Sequence, residues 1–282
     1  MPSPSPDVRR LASLYRPALP DRPVRGLAGE LLGRGTGSSL EFQDRRNYVP
    51  GDDLRHLDWR AYARTDQLLV RQYREEIVPR LDVLVDDSRS MALDDDKARL
   101  AVDLAALVAL AGREAGLSVR VFALGDAASR IELERFAEEG VALSGARALA
   151  PTLDEAAPLL RPGAVRVLVS DFLSPHDSRR LVRTFAARAG AFTCLQILGR
   201  EDAEPPEGAA YKLTDAETAA TVDLVLDRRV VERYRARLRR LCDALQSECR
   251  RAGGTFLSLV ARGTLDEHCR ERLVPAGILV PA

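Results

Sequence analysis

Lysine is almost missing from this chain: of 42 basic residues, all but Lys97 and Lys212 are arginine. A bias spread over the whole chain follows genome composition more readily than function, so no activity is read from it. Cysteine is scarce too. Cys194, Cys242, Cys249 and Cys269 form no CxxC pair, which argues against a disulfide framework or a zinc site and for reduced, packed thiols. Only three histidines occur, His56, His176 and His268, on separate segments, and they assemble no evident triad with a serine or cysteine. No apolar run approaches the ~20 residues of a membrane-spanning helix. The opening MPSPSP is not a charged-then-apolar secretion signal, so a cytoplasmic location with no membrane span is expected. Excess charge of one sign is absent as well, since 42 acidic residues balance the 42 basic ones. Neither nucleic acid nor anionic lipid is therefore expected as a partner through long-range attraction.

What is present is a globular composition, 46% hydrophobic and 30% charged over 282 residues, long enough to bury roughly 70% or more of its unfolded surface. Residues 1–26 hold six of the 16 prolines and read as an extended or partly ordered arm. Gly33 to Phe42, GRGTGSSLEF, follows no clear strand and reads as a linker rather than a phosphate loop. Glu41 to Asp66 packs six acidic and five basic residues around Pro50-Gly51 and Trp59. Two readings are open for it: a structural clasp in which arginines pair with Asp52, Asp53 and Asp58 while Trp59 fills a groove on the sheet, or a docking surface.

Strands are expected over 68–76, 79–87, 118–124, 130–136, 165–171, 192–198 and 255–261. Helices are expected over 95–115, ended by Gly116, and over 152–161, 175–189 and 228–252, with a short β excursion at 210–226 and a terminal helix at 264–276. The segment 79–87, with Leu81, Val83, Leu84 and Val85, reads as a central strand buried on both faces. Alternation of strands and helices predicts a doubly wound α/β fold, a mostly parallel Rossmann-like sheet with a small N-terminal appendage and one antiparallel hairpin made by 118–124 and 130–136. The domain plan is an arm at 1–26, a charged segment at 27–78 packing on the main domain, the α/β domain at 79–262 and a C-terminal helix and tail at 263–282. Helix 228–252 carries nine arginines, but Val230, Val231, Leu238, Leu241 and Leu245 mark it as a packed amphipathic helix with a solvated basic face.

In open α/β sheets ligands sit beyond the carboxyl ends of the strands. There the sequence offers Asp86-Asp87-Ser88-Arg89-Ser90 after the buried strand, Thr152 at the start of the helix expected at 152–161, and Ser170-Asp171 at the end of 165–171. Asp86, Ser88, Ser90, Thr152 and Asp171 would supply five hard oxygens, which suits magnesium (or manganese) and excludes soft-metal chemistry. Taken alone, D-x-S-x-S fits helix capping better than metal binding; its strand context and the matching later positions reverse that preference. Ser144 is an alternative to Thr152. Asp94, Asp95 and Asp96 read as helix-start carboxylates rather than a second cluster.

These five residues resemble the metal-ion-dependent adhesion site of von Willebrand factor type A domains. The preceding segment is similar to the signature of the bacterial domain of unknown function 58 family, with Glu41-Phe42, Arg46, Tyr48, Pro50-Gly51-Asp52-Asp53, Arg55, Asp58-Trp59 and Ala63-Arg64 at the family's spacing. The resemblance runs from about residue 27 onward. It implies a von Willebrand factor type A-like domain, magnesium at the top of the sheet, and metal-mediated binding of a protein partner through an acidic side chain rather than catalysis. It also implies a MoxR-type AAA+ ATPase, or its client, as partner. Some relatives carry transmembrane helices before the signature; the proline-rich arm here favours a soluble protein. The competing reading is a magnesium-dependent, phosphatase-like enzyme with Asp86 as nucleophile, weakened by Ser88 standing where such enzymes place a second aspartate.

Overall fold

A computed structural model describes residues 2–19, 40–75, 78–208, 210–214 and 221–282. In chain order its elements are α1 (Asp7–Ala12), β1 (Tyr15–Pro17), β2 (Leu40–Asn47), α2 (Trp59–Thr65), β3 (Leu69–Glu75), β4 (Arg80–Asp86), α3 (Asp95–Glu114), β5 (Ser118–Leu124) and β6 (Ala128–Ile131). There follow α4 (Leu133–Glu139), α5 (Leu149–Ala156), β7 (Val165–Ser170), α6 (Ser178–Ala186), β8 (Ala191–Leu198) and α7 (Arg200–Ala203). The chain ends with β9 (Ala210–Thr214), β10 (Thr221–Val225), α8 (Arg228–Arg251), β11 (Thr255–Val260), α9 (Leu265–His268) and β12 (Leu279–Pro281). It divides into two compact units, Gly26–Val78 and the remainder.

The larger unit is α/β and doubly wound. Its six-stranded sheet runs β11-β8-β7-β4-β5-β6, parallel throughout except for β6, which lies antiparallel to β5. From β4 the chain moves outward to β5 and β6, then returns to β7 on the other side of β4 and continues to β8 and β11. The order therefore reverses between β4 and β7, which opens a crevice at their carboxyl ends. Side chains alternate across the sheet. Leu81, Val83 and Val85 join the core beneath α3, while Leu84 joins the opposite core with residues of α5, α6 and α8. Helix α3 is apolar nearly all round because it is buried nearly all round, and it stops where Gly116 takes φ +80°, the left-handed conformation that closes a helix end.

Several local expectations are revised. The proline-rich arm is folded over residues 2–19: Val8, Leu11 and Ala12 are buried in the core that contains α3, and β1 pairs antiparallel with β12. Prolines 2, 4 and 6 precede α1, where a missing N–H costs nothing, so proline count concealed an apolar stripe. Residues 20–26 of that arm, and the linker up to residue 39, lie outside the described residues. The strand expected at 130–136 ends at Ile131 and turns into α4, because Leu133, Phe136 and Ala137 form a helical stripe whose Phe136 is fully buried. The β excursion is an antiparallel β9–β10 pair, and the expected terminal helix is α9 followed by a wider turn at Cys269–Leu273. All four cysteines are free thiols. No helix among the described residues is long and apolar enough to cross a membrane.

Asp82, near the amino end of β4, is a buried ionic anchor of the fold. Its carboxylate accepts Arg120 Nε and Nη2 at 3.1 and 3.0 Å. It also accepts Arg161 Nε, Nη2 and backbone N at 2.9, 2.7 and 2.9 Å. Burial alone would raise the Asp82 pKa, but these arginine bonds outweigh it and hold the group below its ordinary value. Asp82→Asn leaves two largely buried guanidiniums without their carboxylate and is expected to cost about 3 kcal/mol or more at pH 7 in urea unfolding. Because the folded pKa is the lower one, this contribution is present above the unfolded value near 3.8 and is lost as pH falls through the folded value. The gap between wild type and variant should narrow at pH 3; an equal gap at pH 3 and pH 7 would contradict this account.

Candidate acid and hydroxyl site at the sheet switch point

Asp86 is the last residue of β4 and shares a face with Leu84, so the apolar run that buries the strand carries the carboxylate into the crevice, 2% exposed. Its Oδ1 accepts the backbone N–H of Ser88 at 3.0 Å, and its Oδ2 accepts the hydroxyl of Ser170, the last residue of β7, at 2.6 Å. The Ser88 and Ser90 hydroxyls lie 3.0 Å apart. Ser88 caps no helix through its side chain; the N-cap of α3 is Asp94, which accepts Lys97 N at 2.9 Å, as the helix-start reading of that cluster expects. The loop is pinned from outside by Arg89 N on Gly145 O and Gly145 N on Asp87 O, both 2.9 Å.

Asp171 follows β7 directly and is 1% exposed. Its Oδ1 accepts Leu173 N at 2.9 Å, and Gln196 Nε2 holds its backbone carbonyl at 2.9 Å. The next residue, Phe172, is fully buried with φ +55°, a conformation that a bulky side chain adopts only when its surroundings enforce it. Asp171 Oδ2 accepts the Lys97 ammonium at 2.8 Å, and the same ammonium reaches Asp202 Oδ2 at 2.9 Å. In sequence Lys97 stands out only as a rare lysine and Ser170 only as the neighbour of Asp171, and neither is among the five expected ligands. The one available signal was a rare lysine falling inside an apolar helix.

Thr152 is placed differently. It lies within α5 rather than ahead of it, fully buried, and its hydroxyl donates to Ala148 O at 3.1 Å and Leu149 O at 3.0 Å. The structure thus joins Asp86, Ser88, Ser90, Ser170, Asp171 and Lys97 by hydrogen bonds or shared loops, and gives Thr152 no such bond.

Electrostatics set this site apart. Burial first, and then the neighbouring Asp171 charge, push the Asp86 carboxyl up to about 7, against the opposing bonds from Ser170 and Ser88. Burial would depress Lys97, but Asp171 and Asp202 more than offset that and keep it charged. Asp171 has an ionic partner; among the described residues no cationic side chain forms an ion pair with Asp86. When ionised, Asp86, Asp171 and Asp202 carry three negative charges against one on Lys97, leaving two uncompensated. The donor set of carboxylate and hydroxyl oxygens fits a hard divalent cation. It contains no group of three His, Cys, Asp or Glu side chains among the described residues, so hydroxyls would have to share the coordination.

In the smaller unit, β2 and β3 pair antiparallel; of Glu41 and Arg46, both on β2, only the backbone is described. Among the described residues, the aspartates bond to near neighbours in sequence. Asp52 Oδ2 accepts Val49 N at 2.9 Å, and Asp53 receives the Arg55 guanidinium with Nη2 at 2.7 Å. Asp58 caps α2 by accepting Arg60 N and Ala61 N at 3.2 and 3.1 Å. Tyr48 N donates to Leu68 O at 2.9 Å, and Arg64 Nε to Arg60 O at 3.2 Å. Trp59 stands 61% exposed and edge-on to Tyr62 with ring centroids 6.4 Å apart.

Fold and site together define a doubly wound α/β protein with an acid and hydroxyl cluster at its switch point. The chain belongs to the family described as protein of unknown function DUF58, whose model matches residues 44–243. It is similar to the uncharacterized proteins Rv1480 of Mycobacterium tuberculosis and Mb1516 of Mycobacterium bovis, each 30% identical over 217 residues, covering 71% of this chain and 68% of the relative. Among solved structures it is similar to the conserved hypothetical protein BatB of Bacteroides thetaiotaomicron, with TM-score 0.41, 12% identity, and 70% and 98% of the two chains covered. An aerotolerance-related membrane protein of Bacteroides fragilis gives TM-score 0.40, 14% identity, and 71% and 98% coverage.

The loop's position depends on having no side chain at residue 125. A β-carbon on Gly125 would overlap Asp87 Oδ1, and one on Gly145 would lie 2.7 Å from Gly125 Cα. Asp87 follows Asp86, so Gly125→Ala should force the site loop to shift and lower stability by about 2 kcal/mol. Thermal unfolding checks this; an unchanged midpoint would show that Asp87 yields without strain.

Proposed function

We propose that this chain is a non-enzymatic, divalent-metal-dependent protein-interaction module with a von Willebrand factor type A-like domain. In this reading it works in the cytoplasm as partner or adaptor of a MoxR-type AAA+ ATPase in protein assembly or maturation. The observation that carries the reading is the buried, uncompensated Asp86 carboxylate. It lies beside a second carboxylate and two hydroxyls at the crevice where α/β sheets bind their ligands. Asp86, Ser88 and Ser90 would hold magnesium or manganese directly. Asp171 would add its charge, while Thr152, whose hydroxyl is bonded back to its own helix, would contribute only through its remaining lone pairs. The bound ion supplies a Lewis-acidic position that accepts a carboxylate oxygen from outside the chain.

The chain's own residues prepare that position. Ser170 and the Ser88 N–H hold the Asp86 carboxylate in one orientation, Gln196 and Leu173 hold Asp171, and the Gly145 contacts hold the loop that bears both serines. Neutral hydroxyls leave more positive charge on the ion than carboxylates would. The phosphatase reading gains no specific support: position 88 offers a hydroxyl where an acid is wanted.

Binding of the purified full chain to a purified MoxR-type AAA+ ATPase, measured in magnesium, should fall at least tenfold with chelator and with Asp86→Ala. Undiminished binding in both would contradict the proposal.

A further inference from the structure

Lys97 has no part in the metal-binding scheme just given, yet it sits inside the site. It lies in the first turn of α3, is 1% exposed, and divides its ammonium between Asp171 and Asp202. Burying an ammonium is costly unless it is well paired. Lysine's compact charge fits between two carboxylates where the planar fork of arginine, the basic residue this chain otherwise uses almost everywhere, demands more room. Asp202 is held in turn: its side chain also accepts Gly199 N at 2.9 Å, and its carbonyl accepts the Tyr234 hydroxyl at 2.7 Å. The ammonium is therefore positioned from two directions.

We propose that Lys97 is a built-in counter-cation that sets the affinity and the electrophilicity of the metal position. The inference rests on the metal-dependent reading above and names how that site is regulated. Three carboxylates against one ammonium leave two negative charges, which a divalent ion cancels, so an incoming carboxylate meets a neutral site. Without Lys97 the loaded site would keep one negative charge and repel that carboxylate. Lys97 also occupies one oxygen of Asp171, which keeps that residue from giving its full charge to the ion. Lys97 is thus a positioning residue: it weakens hold on the metal and favours the partner.

The test is a manganese titration of the full chain, reading free manganese by electron paramagnetic resonance, with circular dichroism confirming the fold of each variant. Asp202→Asn concentrates Lys97 on Asp171 and should weaken binding about tenfold. Lys97→Met combined with Asp202→Asn conserves the total charge while releasing Asp171, and should tighten binding about tenfold. If wild type binds manganese and the double variant binds equally or more weakly, the Lys97 proposal falls and the metal-dependent reading stands. If the double variant does not fold, Asp202→Asn decides alone, with unchanged or tighter binding overturning the proposal. Absence of manganese binding in wild type and every variant would remove both.

Discussion

A carboxylate taken out of water without a cationic partner is costly, and the arrangement at the end of β4 centres on that cost. Asp86 is carried into the crevice by the same apolar alternation that makes β4 the core strand, so it cannot be withdrawn without disturbing the sheet. What surrounds it reduces the penalty without abolishing it. Ser170 and the Ser88 amide each donate one hydrogen bond, while Asp171 adds repulsion that Lys97 relieves only on its own side. A proton completes the balance, and in the proposed function a divalent cation would do so.

The rest of the fold keeps this imbalance in place. The Asp82 network ties β4 to Arg120 on β5 and to Arg161 in the loop ahead of β7, fixing the three central strands near their amino ends. The carboxyl ends are then set by loops that allow little freedom: the Gly125 and Gly145 contacts on one side, the strained Phe172 on the other. The same strand therefore carries one aspartate that is paired with arginine and one that is not. The difference follows from which end of the sheet each occupies.

Much of the architecture was legible in the sequence because the signal is local. Leu81, Val83, Leu84 and Val85 announce a doubly buried strand, and strand–helix alternation implies the parallel order. D-x-S-x-S at the end of that strand and Asp171 at the end of 165–171 were findable because topology dictates where strand ends go. What was hidden depends on distant partners or competing patterns. Asp82 reads as an interruption in an apolar run until Arg120 and Arg161, 38 and 79 positions away, are brought to it. Lys97 meets Asp171 and Asp202 across 74 and 105 positions, and nothing near it in sequence foretells that. In the arm, prolines masked the Val8, Leu11 and Ala12 stripe. At 130–136, alternating apolar residues suited a strand until the burial of Phe136 favoured a helix. Thr152 looked like the residue ahead of a helix because PTLDEA resembles a start, whereas α5 begins three residues earlier at Leu149.

The most direct measurement is anomalous diffraction from a crystal grown with manganese. The account predicts a manganese peak bounded by Asp86, Ser88 and Ser90, with Lys97 still on Asp171. A well-ordered site with no such peak, and Asp86 hydrogen-bonded only to protein and water, would contradict it.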